Sequence, residues 1–203
     1  MEKLKRGFYK KNSIDLAKDL LGKYLVYDTN TEKLVAKIVE TEAYMGFKDK
    51  AAHTYNGRRT PRTEVMYGEE GHAYVYIIYG MYNCFNVVAA EKEIAQAVLV
   101  RALEPVEGLG KMALNRFDIP LNQLKNKQVI GLTNGPGKLC QAFEITREMN
   151  GEDLTGDKLY ICYGKEEKFE IVESKRIGID YAEEAKDYLW RYYIKGNKYV
   201  SVL

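Results

Sequence analysis

Metal and disulfide chemistry have little to draw on in this chain of 203 residues, which holds three cysteines and two histidines. Cys84, Cys140 and Cys162 lie far apart, form no C-x-x-C pair and are odd in number. That counts against a disulfide framework or a zinc knuckle and points to a reducing interior. His53 and His72 belong to no H-E-x-x-H motif, so neither a metal nor a cofactor is expected. No apolar run reaches the roughly 20 residues of a membrane helix, and the first residues are too charged for a secretory signal. The expectation is a cytoplasmic protein, nucleoid-associated if bacterial. Nor does one sign of charge dominate, with 31 Lys and Arg against 29 Asp and Glu. The total does not announce a nucleic-acid binder, although it can conceal a basic face. Low-complexity stretches, linkers and internal repeats are also missing, which leads to one domain over residues 1–203.

What the chain has is tyrosine, 17 of them against six phenylalanines and one tryptophan. A flat ring with a polar tip suits interfaces and stacking on bases. Two basic clusters stand out, "MEKLKRGFYKKN" and "GRRTPRT", the latter with Arg58, Arg59 and Arg62. Each is read either as a solvated surface or as part of a nucleic-acid face.

"NSIDLAKDLLGK" predicts an amphipathic helix capped by Asn12 or Ser13, with Leu16, Leu20 and Leu21 on one face and Gly22 at its end. Residues 23–44 predict two strands joined by a polar turn at Asp28 to Thr31. Residues 50–71 form a long irregular loop, broken by Gly57, Pro61, Gly68 and Gly71; such loops are usually functional or disordered. "HAYVYIIYGMYNCFNVVAA" predicts a hairpin turning at Gly80, and "AQAVLVRALEP" a strand stopped by Pro105. "VEGLGKMALNRF" and "GPGKLCQAFEI" predict helices, "DKLYICYG" a strand, and "LWRYYIKGNKYVSVL" a hairpin turning near Gly196 and Asn197. Strands dominate without a repeated β-α-β rhythm, which implies an α+β domain on a largely antiparallel sheet.

In "IVETEAY", strand alternation puts Ile38, Glu40, Glu42 and Tyr44 on one face. Two carboxylates about 6.5–7 Å apart suit paired-acid hydrolysis; the plain alternative is an exposed, charged sheet face. Arg101, inside the apolar "VLVRALEP", either pairs with Glu40 or Glu42 or reaches solvent from an edge. "NGPGKL" fails as a phosphate loop, with Leu132 where the first glycine belongs and Leu139 where Ser or Thr belongs. It reads as a turn opening a helix, which can still hold a DNA phosphate. At the hairpin, Tyr74 and Tyr76 share a face, while Tyr79 and Met81 occupy the tip where Asn, Asp or Ser would be ordinary. Aromatic walls beside a protruding wedge are what extraction of a base from DNA requires; a hydrophobic core with a partner-binding tip is the other reading.

"KIVETEAYMGFKDKAAHTYNGRRTPRTEVMY", "YVYIIYGMYNCFNVV", "VLVRALEP" and "GPGKLCQAF" closely resemble the alkyladenine DNA glycosylases, also called 3-methyladenine or methylpurine DNA glycosylases. The resemblance runs from "LAKDLLGKYLV" to "YVSVL". It implies a single α+β domain with a curved, mostly antiparallel sheet flanked by helices and a protruding aromatic-tipped β-hairpin. It also implies base-excision repair: flipping of damaged purines (3-methyladenine, 7-methylguanine, hypoxanthine, ethenoadenine) from duplex DNA and hydrolysis of the N-glycosidic bond. Glu42 matches the residue that activates water, helped by Arg101 and the backbone carbonyl of Ile177. Tyr44, His53 and Tyr76 match the base pocket, Asn86 the side chain that discriminates against guanine's amine, and Tyr79 the wedge, with Met81 beside it. Arg58, Arg59, Arg62 and Lys138 are candidate phosphate contacts from charge and loop position. No lysine matches a Schiff-base role, so the expectation is a monofunctional, monomeric enzyme without lyase activity. Neutral hypoxanthine needs a proton to leave, and Glu40, His53 and solvent are all open as its source. A non-catalytic lesion- or RNA-binding module on the same fold is the alternative, and a free-nucleoside hydrolase using Glu40 and Glu42 is another.

Overall fold

The computed structural model describes residues 1–29 and 31–202. Asn30 of the expected first turn, and Leu203 of the final "YVSVL", lie outside the described residues. Two helices open the chain, α1 (Arg6–Tyr9) and α2 (Ser13–Leu20), followed by β1 (Tyr24–Asp28) and β2 (Lys33–Tyr44). The loop that follows contains only short 3-10 turns and leads into β3 (Ala73–Ile78), β4 (Tyr82–Ala89) and β5 (Gln96–Glu107). Helices α3 (Leu109–Phe117), α4 (Asn126–Ile130) and α5 (Pro136–Ala142) come next, then β6 (Leu159–Cys162), β7 (Ile171–Ser174) and β8 (Arg191–Ile194). All these strands join one curved sheet in the order β3-β4-β5-β2-β1-β6, with β8 on β2 and β7 on β8. Every pairing is antiparallel. The α+β expectation holds.

Helix α2 forms as its sequence asks. The Asn12 side chain accepts the Asp15 amide N–H at 3.0 Å, capping the first turn, and Leu16, Leu20 and Leu21 are all buried in the main core. Helix α5 begins with Pro136 in its first turn, where a missing N–H costs nothing. Gly137 lies against the hairpin next to its turn; a Cβ there would come within 3.1 Å of the Tyr82 side chain. The three cysteines are free and buried. No helix among the described residues is long and apolar enough to cross a membrane.

Three expectations need correction. First, β5 does not stop at Pro105 but runs to Glu107. Pro105 falls at a register shift, between the pairs Ala36–Pro105 and Val35–Glu107, and a bulge is where a strand tolerates proline. Second, the last segment is not a hairpin. Both edges of β8 are taken, by β2 and β7, so the chain beyond the Gly196 turn does not return along it.

Third, Ile38 does not share a face with Glu40 and Glu42. Ile38 pairs with Leu103 but Glu40 with Ala102, which makes Val39 an extra residue on β2; Thr41 then pairs with Val100, which makes Arg101 extra on β5. These facing bulges shift the alternation by one. Ala36 and Ile38 belong to the main core before the bulge, Val39 and Ala43 after it, and the Thr41 hydroxyl donates to Ala17 of α2. Glu40, Glu42 and Tyr44 turn to the opposite face. A one-residue slip moves every later side chain across a sheet, and here it lifts two carboxylates off the apolar core.

Candidate active site

Beneath the β3–β4 hairpin lies a cavity of about 530 Å³, whose lining includes Tyr44, His53, Tyr76, Asn86, Arg101 and Ile177. The structure thus gathers these six residues, from five separate segments of the chain, at one place. A volume of this size lies within the range of ligand sites. Tyr74, expected with Tyr76 as an aromatic wall, also lines it, as do Cys84 and Tyr181, for which the sequence offers no role. Tyr74 was legible, since it shares a strand face with Tyr76; Cys84 and Tyr181 carry no local signal.

The walls are largely aromatic, with Arg62 and Arg101 as charged residues among them. The His53 ring meets Tyr76 edge-on at 4.6 Å, and Tyr74 tilts against Tyr76 at 5.3 Å. His53 Nδ1 lies 2.8 Å from the Tyr74 hydroxyl. Burial, with Arg62 and Arg58 nearby, lowers the His53 pKa from the usual 6.5 to about 4, so the imidazole is neutral at pH 7. Burial pushes the Tyr74 hydroxyl up to about 12 and the Cys84 thiol up to about 11. The Asn86 amide donates to the carbonyls of Tyr74 (3.0 Å) and Cys84 (3.4 Å), which fixes its plane.

The His53 shift gives stability a pH dependence. The folded value lies below the unfolded one, so the contribution is full above about pH 6.5 and is lost as the pH falls toward and through about 4. Urea midpoints measured near pH 7 and about pH 4.5 should differ more for wild type than for His53→Gln. Equal differences would mean that His53 protonates freely in the folded state.

Glu42 lies behind this lining, wholly screened from solvent. Its Oε1 accepts the Ile177 amide N–H at 2.8 Å and faces Arg101 Nη1 at 3.2 Å; its Oε2 accepts the Tyr44 hydroxyl at 2.9 Å. All three donors come from residues that line the cavity. Ile177 contacts Glu42 through its amide; the carbonyl expected to hold the water is a separate group of the same residue. Arg101 does not reach solvent from an edge. Its strand lies between β4 and β2, and its Nε also donates to Glu40 at 3.1 Å. Burial opposes the charge on Arg101, but Glu42 and Glu40 overcome it and hold the guanidinium pKa above its usual value. Glu40 points away from the cavity, toward Arg191 and Ser201, so the two glutamates do not flank a common substrate.

Ile177 is held in place by its neighbour. Arg176 grips Asp49 through both nitrogens of its fork, at 2.6 and 2.8 Å, and donates to the carbonyls of Ala43 (2.9 Å) and Ala185 (3.1 Å). Both charged side chains are completely buried.

At the hairpin tip Tyr79 and Gly80 have φ of 54° and 71°, and the Met81 N–H donates to the Ile78 carbonyl at 3.3 Å. Positive φ at both central residues is the type I′ pattern, which favours Asn-Gly. A tyrosine in that conformation costs on the order of 1–3 kcal/mol. Tyr79 and Met81 are 82% and 69% exposed. Strain and exposure thus coincide at Tyr79.

The four basic candidates part company. Arg59 is committed to Glu64 and Glu93, at 2.5 and 2.7 Å. Arg62 lines the cavity, 5.9 Å over the Tyr76 ring. Lys138 donates to Asn134 at 2.8 Å, with its pKa lowered by burial and by Arg116. Arg58 has no ion-pair partner among the described residues. In that same set no group of three His, Cys, Asp or Glu side chains could hold a metal ion.

Residues 7–198 match the family model described as methylpurine-DNA glycosylase (MPG). The chain is 61% identical to a protein of Clostridium acetobutylicum over 99% of its own length and 98% of the relative's. It is 56% identical to one of Desulfitobacterium hafniense over the whole of both chains, and 57% identical to one of Clostridium novyi over 99% of each. All three relatives carry the name "Putative 3-methyladenine DNA glycosylase".

Proposed function

The chain belongs to the methylpurine-DNA glycosylase family, and from that premise we propose that it excises damaged purines from duplex DNA by hydrolysing the N-glycosidic bond. The substrates are 3-methyladenine, 7-methylguanine, hypoxanthine and ethenoadenine, and the product is an abasic site in an intact strand. One observation carries the reading: a buried glutamate with three donors beneath an aromatic cavity, beside a strained aromatic tip. Residues 1–203 act as one unit, since Glu42, Arg101 and Ile177 come from three distant parts of one chain, and a monomer with one complete site is all that this reading requires. The location that fits this substrate is cytoplasmic, nucleoid-associated if the chain is bacterial.

The flipped base enters among Tyr44, His53 and Tyr76, while Tyr79 fills the gap it leaves and Met81 packs beside it. Unstacking costs a few kcal/mol per step; stacking on the tip offsets part of that. The bond from the sugar to the base nitrogen breaks, the base leaves with the electron pair, and an oxocarbenium-like sugar remains. Glu42 stabilises that positive charge and takes a proton from the water that adds to it. The three donors fill three of the roughly four acceptor positions of an ionised carboxylate, so water can bind Glu42 Oε2 beside the Tyr44 hydroxyl or in its place. Alkylated purines already carry charge and leave readily. For hypoxanthine, Glu40 points elsewhere and His53 is held neutral, which leaves solvent as the proton source. Arg58, Arg62 and Lys138 meet phosphates. Arg59 would first have to leave Glu64 and Glu93.

The test is a labelled duplex with a single hypoxanthine, then one with an alkylated purine. Incubation followed by hot alkali should break the strand at the lesion, and incubation alone should not. No break on any lesion would favour the binding-module reading; a break without alkali would reveal a lyase. Tyr79→Ala should weaken binding to the lesion duplex by about 10- to 100-fold. A free-nucleoside hydrolase would not respond to that change.

A further inference from the structure

Glu40 is a carboxylate that this mechanism does not use. It is fully buried and faces away from the cavity, yet it is surrounded by donors. Its Oε1 accepts from Arg101 Nε (3.1 Å), Arg191 Nη1 (2.9 Å) and the Ser201 hydroxyl (2.9 Å), and its Oε2 accepts the Ser201 amide N–H at 2.6 Å. Arg191 Nη1 also donates to the Val202 carbonyl at 2.9 Å. Two arginines and two glutamates thus form one charge-balanced row, Arg191–Glu40–Arg101–Glu42, with the end of the chain folded over its outer member.

We propose that Glu40 is a positioning residue for excision: it aims the Arg101 guanidinium, and Ser201 holds Glu40 so that it can. The inference rests on the excision reading above. An arginine next to a single carboxylate prefers the two-pronged fork, which places both terminal nitrogens on both oxygens. Arg101 does otherwise. Its Nε goes to Glu40 and only Nη1 to Glu42, so both the roll and the reach of the guanidinium are set. Glu40 competes for the cation and draws it sideways. Glu42 Oε2 is thereby left to the Tyr44 hydroxyl, a group that water can replace. The facing bulges at Val39 and Arg101 make this possible, because they turn Glu40 and Arg101 to the same face at the same level of the sheet. Without Glu40 the fork closes on Glu42 and covers the lone pairs that water needs.

The experiment measures single-turnover excision of hypoxanthine, affinity for a duplex carrying an abasic-site analogue, and thermal melting, for wild type and Glu40→Gln. The amide keeps the shape of Glu40 and removes its charge. The rate should fall about 10- to 100-fold, the scale of a small misplacement of a reacting group, with affinity changed less than about twofold. In an Arg101→Gln background, Glu40→Gln should cause almost no further loss, because the residue it aims is gone. Ser201→Pro, which removes both Ser201 donors and leaves every charge in place, should slow excision in the same direction by a smaller factor if Glu40→Gln proves too unstable to assay. Wild-type rates in Glu40→Gln, or in Ser201→Pro where that variant stands in, overturn the proposal. So does an undiminished loss in the Arg101→Gln background, which would mean that Glu40 acts through the fold at large. An inactive wild type overturns the excision reading and this inference with it.

Discussion

Glu42→Gln is expected to slow excision of hypoxanthine by about 10³-fold or more, since it removes both the base that activates water and the charge facing the sugar cation. The fold should survive. Glutamine keeps an oxygen for the Ile177 amide and Arg101, and the Tyr44 hydroxyl can turn to accept from the new NH₂ group. Affinity for an abasic-analogue duplex should stay within about threefold of wild type, because that ligand exercises the hairpin and the phosphate contacts rather than the carboxylate. The loss should be smaller for 7-methylguanine. That base already carries positive charge, so its departure leans less on activated water and more on electrostatics. Single-turnover rates on both lesions decide the matter. An equal and modest loss on both, below about tenfold, would remove Glu42 from the chemistry.

Asp49→Ala carries the largest expected cost to stability, about 3–5 kcal/mol, the penalty for leaving a buried charge unpaired. Domains of this kind have only about 5–15 kcal/mol in total, and the melting temperature should drop by roughly 6–20 °C. Asp49 receives both prongs of Arg176, as well as the amide N–H groups of Met45 and Ala51. The effect should reach the site, because Arg176 directly precedes the residue whose amide holds Glu42. Replacing the pair by apolar residues, Asp49→Leu with Arg176→Met, should recover part of the stability, as buried ion pairs are often no better than good packing. It should not recover the excision rate, because Arg176 also ties this loop to the Ala43 carbonyl beside Glu42. Urea melts and single-turnover rates on the same samples separate the two effects. A single-variant loss below about 1 kcal/mol would show that Arg176 finds water or another partner.

Several parts of the molecule were legible from local pattern alone. Asn12 and the three leucines mark α2, and "YVYIIYGMYNCFN" marks the β3–β4 hairpin with its exposed tip, because a helix cap and a hairpin turn depend on neighbours a few residues away. Glu42 and Tyr44 lie two apart on one strand, so their shared face needs only alternation. Other features could not be read this way. β7 is four residues long, only partly buried, and offers no pattern. The three basic residues of "GRRTPRT" look alike in sequence, yet Arg59 alone is claimed, by Glu64 and by the distant Glu93. Asp49 and Arg176 are 127 residues apart, and no periodicity connects them.

The chain by itself marked the residues for which a role is proposed: a glutamate pair in a strand, an arginine among aliphatics, tyrosines flanking a turn. These are properties of residue type and spacing; the family rests instead on the long motifs around them. Tertiary structure decided where each glutamate points. The extra residue at Val39 exists only as a mismatch between β2 and β5, and a mismatch belongs to two strands rather than to either sequence. That mismatch turns both glutamates off the core face. Arg101, reaching from the facing bulge, then divides itself between them, leaving Glu42 behind the cavity wall and Glu40 among Arg191 and the last residues of the chain.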